Sequence, residues 1–367
     1  MEAYIHQRSG WPNFKFDARL LLELIGNIQH ERGRFLGQLA MIPVNLRKQI
    51  ILDTAIREIT ASLAIEGEEL PPEQLRKELA LRLTGESIVQ KQQKGRAQSI
   101  ITLYSESIKL KGEVNAKSLL QWQSMLYPDG MLGRYKVLTG SWRNDTDGPL
   151  QIVSGGLGYE RLHFIAPAAH RLEKEMKQFA QWLAAPFHSD LLIKVALAHL
   201  YFLTIHPFED GNGPVARLLS CSLLAKADRE EALFYAPSES LWMDKSGYFA
   251  ALEQAQKGEM DVTEWIVWYL KNLQRCYTGA NDALKNSFRA YRFWQEHTET
   301  AFNERQRKIL NQLLAGTLVK ISNAAYARSF GCSADSALRD ITELVQLGIL
   351  QRLPGGGRST AYQLKMT

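Results

Sequence analysis

Cysteine is scarce: Cys221, Cys276 and Cys332 are the only three in 367 residues, far apart and without a CxxC pair. That argues against a disulfide framework or a zinc site and leads us to expect a reducing, cytoplasmic setting. No apolar run approaches the roughly 18 residues that span a bilayer, so no membrane role is expected. The opening stretch MEAYIHQRSGWPNFKFD lacks the apolar core of a secretory leader. Internal repeats and low-complexity tracts are also missing. Neither sign of charge dominates, with 44 Lys and Arg against 39 Asp and Glu, so the net +5 does not make the whole chain a nucleic-acid binder. With 45% apolar and 23% charged residues the chain is ordinary globular material, long enough for two or three domains.

What is present is helical periodicity. ARLLLELIGNIQHERGRFLGQL carries a broad apolar stripe through Leu20, Leu21, Leu22, Leu24 and Ile25, and NLRKQIILDTAIREITASLAI continues with spacings of three and four. Further helices are predicted over 72–82, 87–110, 116–125, 168–184, 189–204, 214–227, 246–256, 261–277 and 279–297. The clearest exception is 140–167. There a turn-prone run from Asn144 to Pro149 leads into Leu150, Gln151, Ile152 and Val153 and then a glycine-rich break, which predicts a short hairpin on a helical body.

From about Ala301 the pattern changes. NERQRKILNQLL, ISNAAYARSFG and ADSALRDITELVQLG read as three helices, with Ser333 placed to cap the third. ILQRLP and RSTAYQL then flank a glycine turn. Helix, helix, helix, hairpin is the order of a winged helix-turn-helix. From Thr300 onward there are nine Lys and Arg against four Asp and Glu, a surplus equal to that of the whole chain. In such a domain Arg339 on the third helix and Arg352 and Arg358 on the wing are the candidate DNA contacts. The same helix carries Asp335, Asp340 and Glu343, and domains of this kind also serve as protein docks or homodimer interfaces.

The chemistry concentrates in HPFEDGNGPVAR, residues 206–217. An apolar helix enters it and a second helix leaves it. Gly211 and Gly213 let the backbone bend close to a ligand, and the amides at the start of the following helix form an anion site suited to a phosphate chain. His206 can take a proton near neutral pH. Asp210 is a hard oxygen ligand suited to Mg2+ bridging phosphates, and Arg217, one turn into the helix, can pair with a terminal phosphate. Taken singly, each has a plainer reading: a capping histidine, a turn, an apolar plug at Phe208.

Together these residues resemble the signature of Fic-domain proteins, HPFx[DE]GNGRxxR, matched at His206, Pro207, Phe208, Asp210, Gly211, Asn212, Gly213 and Arg217. AHLYFLTI, YFAAL and DVTEWIVWYL are similar to the family as well. The resemblance implies a helical Fic core over roughly 100–275 and a protein adenylyltransferase that moves AMP from ATP to a Ser, Thr or Tyr hydroxyl of a protein target. It implies His206 as general base, Asp210 as Mg2+ ligand, and Gly211, Asn212 and Gly213 as phosphate cradle. Arg217 would meet the outer phosphate, Tyr248 would lie near the adenine, and Leu150 to Val153 would form a flap that aligns the target by strand addition.

Ser62-Leu-Ala-Ile-Glu66-Gly67 resembles the family's inhibitory [ST]xxxE[GN] motif. Ser62 and Glu66 share a helix face, so Glu66 would pair with Arg217 and displace the phosphate that needs it. In some inhibited relatives the same glutamate assists removal of AMP. One position departs from the signature: its first Arg is Pro214 here. Proline fits a first helical turn, but a guanidinium is lost, at about 1.5–3 kcal/mol, which would slow transfer roughly ten- to a hundredfold.

The expected fold is therefore mainly α. A helical extension with the inhibitory helix spans 1–98, a Fic core with a short β-hairpin flap spans 99–298, and a winged helix-turn-helix spans 299–367. The alternative is a catalytically weakened Fic-fold regulator acting through a DNA- or protein-binding winged helix.

Overall fold

The computed structural model describes residues 4–84, 95–110, 112–146, 148–156, 159–354 and 360–365. It divides into two compact units, residues 1–40 with 47–278, and residues 41–46 with 279–367.

The first unit is built around α7 (Leu191–Ile205) and α8 (Asn212–Asp228). Thirteen of the fifteen residues of α7 are buried, from Leu192 through Ile205 with Lys194 half-buried between them, so this helix is enclosed on every side inside the unit. Asp190 starts it by accepting a hydrogen bond from the Leu192 amide at 2.8 Å. Around this pair lie α4 (Arg96–Ile108), α5 (Ala116–Leu126), α6 (Leu172–Ala184), the short α9 (Pro237–Met243) and α10 (Lys245–Lys257). The chain enters through α1 (Ala18–Leu39), α2 (Val44–Ile65) and α3 (Pro72–Thr84). The expected helix over 87–110 is found from Arg96; residues 87–94 lie outside the described residues.

Two hairpins interrupt the helices. β1 (Met131–Leu132) pairs with β2 (Tyr135–Lys136), a small hairpin the periodicity gave no reason to expect. β3 (Gln151–Ser154) pairs antiparallel with β4 (Arg161–Ile165), Gln151 opposite Ile165 and Ser154 opposite Arg161, with a register shift between Ile152 and Val153. This sheet has two strands, so among the described residues the outer edge of β3 has no strand neighbour. Its inner face packs on the first residues of the chain: Phe164 meets Tyr4 and His6 edge-on, at ring separations of 5.0 and 5.6 Å. The WPNFKFD stretch is likewise tied down. Trp11 donates to Glu175 at 2.9 Å and meets Tyr201 edge-on, while Lys15 exchanges backbone hydrogen bonds with Met260 and Val262.

A 34-residue helix, α11 (Thr263–Glu296), runs where two helices are predicted. Gly279, the expected break, costs a helix interior about 1 kcal/mol, which the rest of so long a helix outweighs.

The second unit holds α12 (Glu304–Leu314), β5 (Ile321–Ser322), α13 (Asn323–Phe330), α14 (Ala334–Gln346), β6 (Leu350–Arg352) and β7 (Ala361–Leu364). Its sheet has the order β5-β7-β6, all antiparallel. Ser333 caps α14 by accepting from the Ser336 amide at 3.2 Å, and Gly331 ends α13 in the left-handed region. Asp340 is a buried carboxylate in this core. It accepts from Asn303 (2.9 Å), Arg305 (2.8 Å) and the Tyr326 hydroxyl (3.0 Å). Desolvation works against its charge, yet the bonds from Arg305, Tyr326 and Asn303 hold it below the usual carboxylate range. Replacing it leaves three donors without their acceptor, so Asp340→Ala is expected to lower the unfolding free energy of this unit by about 2–4 kcal/mol, read by urea unfolding.

Candidate active site

The site is the turn between α7 and α8. His206 ends α7 with φ 51° and ψ 60°, a left-handed conformation that strains any residue with a Cβ. Its amide still bonds back to Phe202 at 2.9 Å. Gly211 is left-handed too, at φ 89°, and a Cβ there would lie 3.1 Å from Leu126 and 3.2 Å from the Tyr127 ring. Asn212 fixes the shape between them: its carboxamide accepts from the Phe208 amide (2.9 Å) and donates to the Phe208 carbonyl (2.8 Å). Both ends of that side chain are thus engaged within the loop. Phe208 is fully buried, against Trp142 and Phe202.

His206 donates through Nδ1 to the Leu203 carbonyl at 3.2 Å, the assignment that carbonyl requires, so Nε2 carries the lone pair. Burial lowers the imidazole to about 4; the Leu203 carbonyl and Glu66 oppose the shift and Arg143 adds to it. The ring is therefore a neutral base at pH 7. Asp210 lies four residues on. Burial raises its carboxyl, the Gly211 amide (2.6 Å) and the Tyr127 hydroxyl pull it back, and the nearby carboxylates of Glu66 and Glu209 raise it further.

Arg217 is 2% exposed and is gripped by the end of α2. Its Nε donates to the Ser62 hydroxyl, and its Nη2 to the Ser62 carbonyl and to Glu66 Oε1, each at 2.8 Å. The Glu66 carboxylate also leans over Gly213: a Cβ there would stand 2.1 Å from Oε1. It thus occupies the amide-rich N-terminus of α8, the place an anion would take. Glu66 can reach it because α2 stops there. Gly67, at φ 78°, and Glu68 donate back to Ala64 and Leu63 at 3.1 and 3.0 Å, a Schellman ending that needs a left-handed glycine.

Behind Arg217 lies a buried polar chain. Tyr248, 1% exposed, bonds the Nε2 of His199 (2.8 Å), whose Nδ1 meets the Ser220 hydroxyl at 2.9 Å. The Tyr248 ring is enclosed, against His199, Phe249 and Trp268. Pro214 is buried at the third position of α8 and faces an apolar cavity of about 20 Å³ shared with Ile59, Leu63, Ile100 and Leu103.

Of the residues expected to form the flap, Gln151 and Val153 are exposed on β3, with Leu150 and Ile152 half-buried. Glu253 of α10 anchors the hairpin from below, taking His163 (2.7 Å), Arg161 (3.0 Å) and Lys257 (2.8 Å). A groove of about 280 Å³ between flap and loop is lined by Leu138, Asn144, Pro149, Gln151 and Glu209. In the second unit Arg339 and Arg352 are exposed on α14 and β6, and Arg358 lies outside the described residues.

Three side chains escaped the sequence reading. Glu58, fully buried one helical step before Ser62, accepts from the amide and hydroxyl of Ser238 and from Cys221. Burial raises its carboxyl, against those bonds. Its only signal was the four-residue ladder Glu58, Ser62, Glu66. Gln123 bonds the carbonyls of Leu138 and Asp210, and Arg143 the carbonyl of His206; a lone polar residue beside a turn announces neither.

Residues 113–224 match the Fic/DOC family, and residues 4–84 match a domain of unknown function, DUF4172. The chain is 30% identical over 151 residues to a protein adenylyltransferase Fic of Nematostella vectensis, a match spanning 40% of this chain and 32% of that one. It is 26% identical over 168 residues to a probable protein adenylyltransferase of Aquifex aeolicus, spanning 46% and 45%. The chain spans less than half the length of these curated relatives. A Fic family protein of Desulfovibrio desulfuricans G20 has a similar fold, with a TM-score of 0.53 at 21% identity over 95% of this chain and 96% of that one. C. elegans Fic-1 (aa134–508) gives 0.52 at 16%, over 74% of each. The chain carries a Fic/DOC domain. Among the described residues no helix is long and apolar enough to cross a membrane.

His6 and His199, like His206, are held neutral by burial, at about 4 and about 3. Their folded values lie below the unfolded 6.5, so the folded state is favoured most above pH 6.5 and loses ground as pH falls toward 4. At pH 5 this amounts to about 2 kcal/mol for each fully buried ring. Urea unfolding at pH 7.5 and 5.0 should show that the acid-induced loss in His6→Phe is smaller than in the wild type by about that amount.

Proposed function

We propose that the protein transfers AMP from ATP to a Ser, Thr or Tyr hydroxyl of another protein, and that Glu66 restrains the reaction. The observation that carries this is the Glu66 carboxylate seated on Arg217 and Gly213, at an anion site beside a neutral histidine. On this reading the phosphates of ATP lie over the amides of Gly211 to Gly213, with Arg217 on the outermost one. The Asn212 carboxamide holds the loop in the shape that presents those amides.

The target strand adds to the open edge of β3 along Leu150 to Val153 and brings its hydroxyl to His206. Nε2 takes the hydroxyl proton, the oxygen bonds to the α-phosphorus, and the bond from that phosphorus to the pyrophosphate oxygen breaks. Protein-bound AMP and pyrophosphate are the products. The rate comes from holding the reactants in line and from fixed donors aimed at the developing charge. Asp210 fits a Mg2+ ion: its carboxyl is crowded by Glu66 and Glu209, and one carboxylate plus substrate phosphates is the usual magnesium arrangement. Such an ion would draw charge from the phosphates.

Glu66, when seated, takes the partner that the outer phosphate needs. Pro214 contributes no guanidinium and packs into the apolar seam toward α2, so transfer by the released enzyme is expected to be slow. The same glutamate is placed to assist water in removing AMP from a modified target. A modified target that is never cleaved in the presence of Mg2+ rules this reverse reaction out.

The test is label transfer from α-32P-ATP with Mg2+, to the protein itself and to a cell lysate. Glu66→Gly is expected to label protein at least tenfold faster than the wild type, and Glu66→Gly/His206→Ala to label none. Silence of Glu66→Gly with every nucleotide sinks the transfer reading and favours a regulator that keeps the fold without the chemistry.

A further inference from the structure

Arg143 has no role in the reaction as described, yet its guanidinium is buried, 4% exposed as a residue, and every side of it is engaged. Nε donates to the carbonyl of His206 at 2.8 Å. Nη1 donates to Asp145 at 2.8 Å, and Nη2 to the carbonyl of Pro167. The backbone amide of Arg143 donates to Pro207 at 2.9 Å. Asp145 in turn accepts from the Ala169 amide. Residues 143–145 lead into β3 and residues 167–169 follow β4. One side chain therefore ties both feet of the flap hairpin to the residue that carries the catalytic imidazole.

His206 is also one of two non-glycine residues with positive φ among the described residues, so its left-handed conformation needs external support. Its ring-side bond to Leu203 belongs to its own helix; the bonds from outside α7 come from Arg143 to the carbonyls of His206 and Pro207. We infer that Arg143 is a positioning residue that holds His206 in its left-handed turn and makes the aim of its Nε2 depend on the seating of the flap. This deepens the AMP-transfer reading and rests on it. A target strand bound to β3 would then pull on the same clasp that orients the base, so a badly seated target would meet a misaligned histidine.

The charges that face the imidazole are Arg143 and Glu66. In a Glu66→Gly background only Arg143 remains, and the conservative and neutral replacements separate geometry from charge. Arg143→Lys keeps the charge but cannot reach three acceptors at once. Arg143→Gln keeps a donor and loses the charge.

Both are made with Glu66→Gly and compared by self-labelling from α-32P-ATP with Mg2+, by ATP-Mg2+ binding, and by NMR titration of the His206 ring, identified by its loss in His206→Ala. Nucleotide binding should stay within about twofold of the Glu66→Gly parent. Labelling should fall about ten- to a hundredfold in both variants, the scale of a 1 Å misplacement. In Arg143→Gln the imidazole should titrate at higher pH than in the parent, and the acid limb of the labelling profile should move with it. Parent-like labelling and an unmoved imidazole in both variants overturn the proposal, as does an equal loss of nucleotide binding and labelling. A silent parent whose imidazole still moves with Arg143 sinks the transfer reading and leaves the clasp standing. Should the Arg143 variants fail to fold, Asp145→Asn with Glu66→Gly loosens the same clasp: slower labelling with intact nucleotide binding supports it, and unchanged labelling overturns it.

Discussion

Everything at the centre of the first unit turns on the guanidinium of Arg217. A buried cation needs partners, and here they arrive from α2, which supplies the hydroxyl and carbonyl of Ser62 and the carboxylate of Glu66. The geometry opposes two dipoles. Glu66 sits at the C-terminal end of α2, where a negative charge is unfavourable, and against the N-terminal end of α8, where it is favourable. The carboxylate is stable in its seat because of what α8 and Arg217 offer, and an anion with more oxygen atoms and more charge would find the same offer.

A buried polar chain lies behind Arg217. Tyr248 and His199 form a buried relay to Ser220, and burial keeps the histidine neutral so that no second cation competes with the guanidinium. The loop that carries His206 is held from the other side, by Asn212 within the loop, Gln123 from α5 and Arg143 from the foot of the flap. The strain of this turn lies at His206, whose left-handed backbone carries a Cβ, whereas Gly211 takes the same region freely; polar side chains with two or three simultaneous bonds hold the shape.

Much of this was legible in the order of residues. The helices announced themselves through periodicity, and HPFEDGNGPVAR placed a histidine, a carboxylate, a glycine-rich turn before a helix and an arginine in one contiguous stretch. Ser62 and Glu66 were visible as an i, i+4 pair, and Gly67 explains itself as the left-handed stop that lets Glu66 reach out. What stayed hidden depends on tertiary neighbours. Gly279 looked like a boundary because local propensity cannot weigh the rest of a 34-residue helix. Tyr248 is expected near an adenine; that its ring is buried and bonded to His199 is set by tertiary packing, which no local pattern reports. Asp340 and Glu343 counted as acidic residues on the third C-terminal helix. Asp340 is turned into the core, whereas Asp335 and Glu343 stay exposed with Leu338, Arg339 and Thr342, Glu343 also accepting from Gln306. The role of Arg143 could not be seen at all, since it is defined by a carbonyl 63 residues away.

Glu58 sets how α2 can move. Its carboxylate is sealed beneath the helix, bonded to Ser238 and Cys221, two turns before Glu66. Lifting the whole helix would drag that group into the open and strand the Ser238 amide. Unwinding from the far end leaves Glu58 in place but gives up the Arg217 bonds to Ser62 and Glu66 and the Arg96–Glu68 pair. On the proposed reading, in which Glu66 restrains the reaction, Glu58 would be the fixed point of the helix. On that reading, release of Glu66 would come more readily at residues 62–68 than through the middle of α2, where Glu58 is sealed in the core.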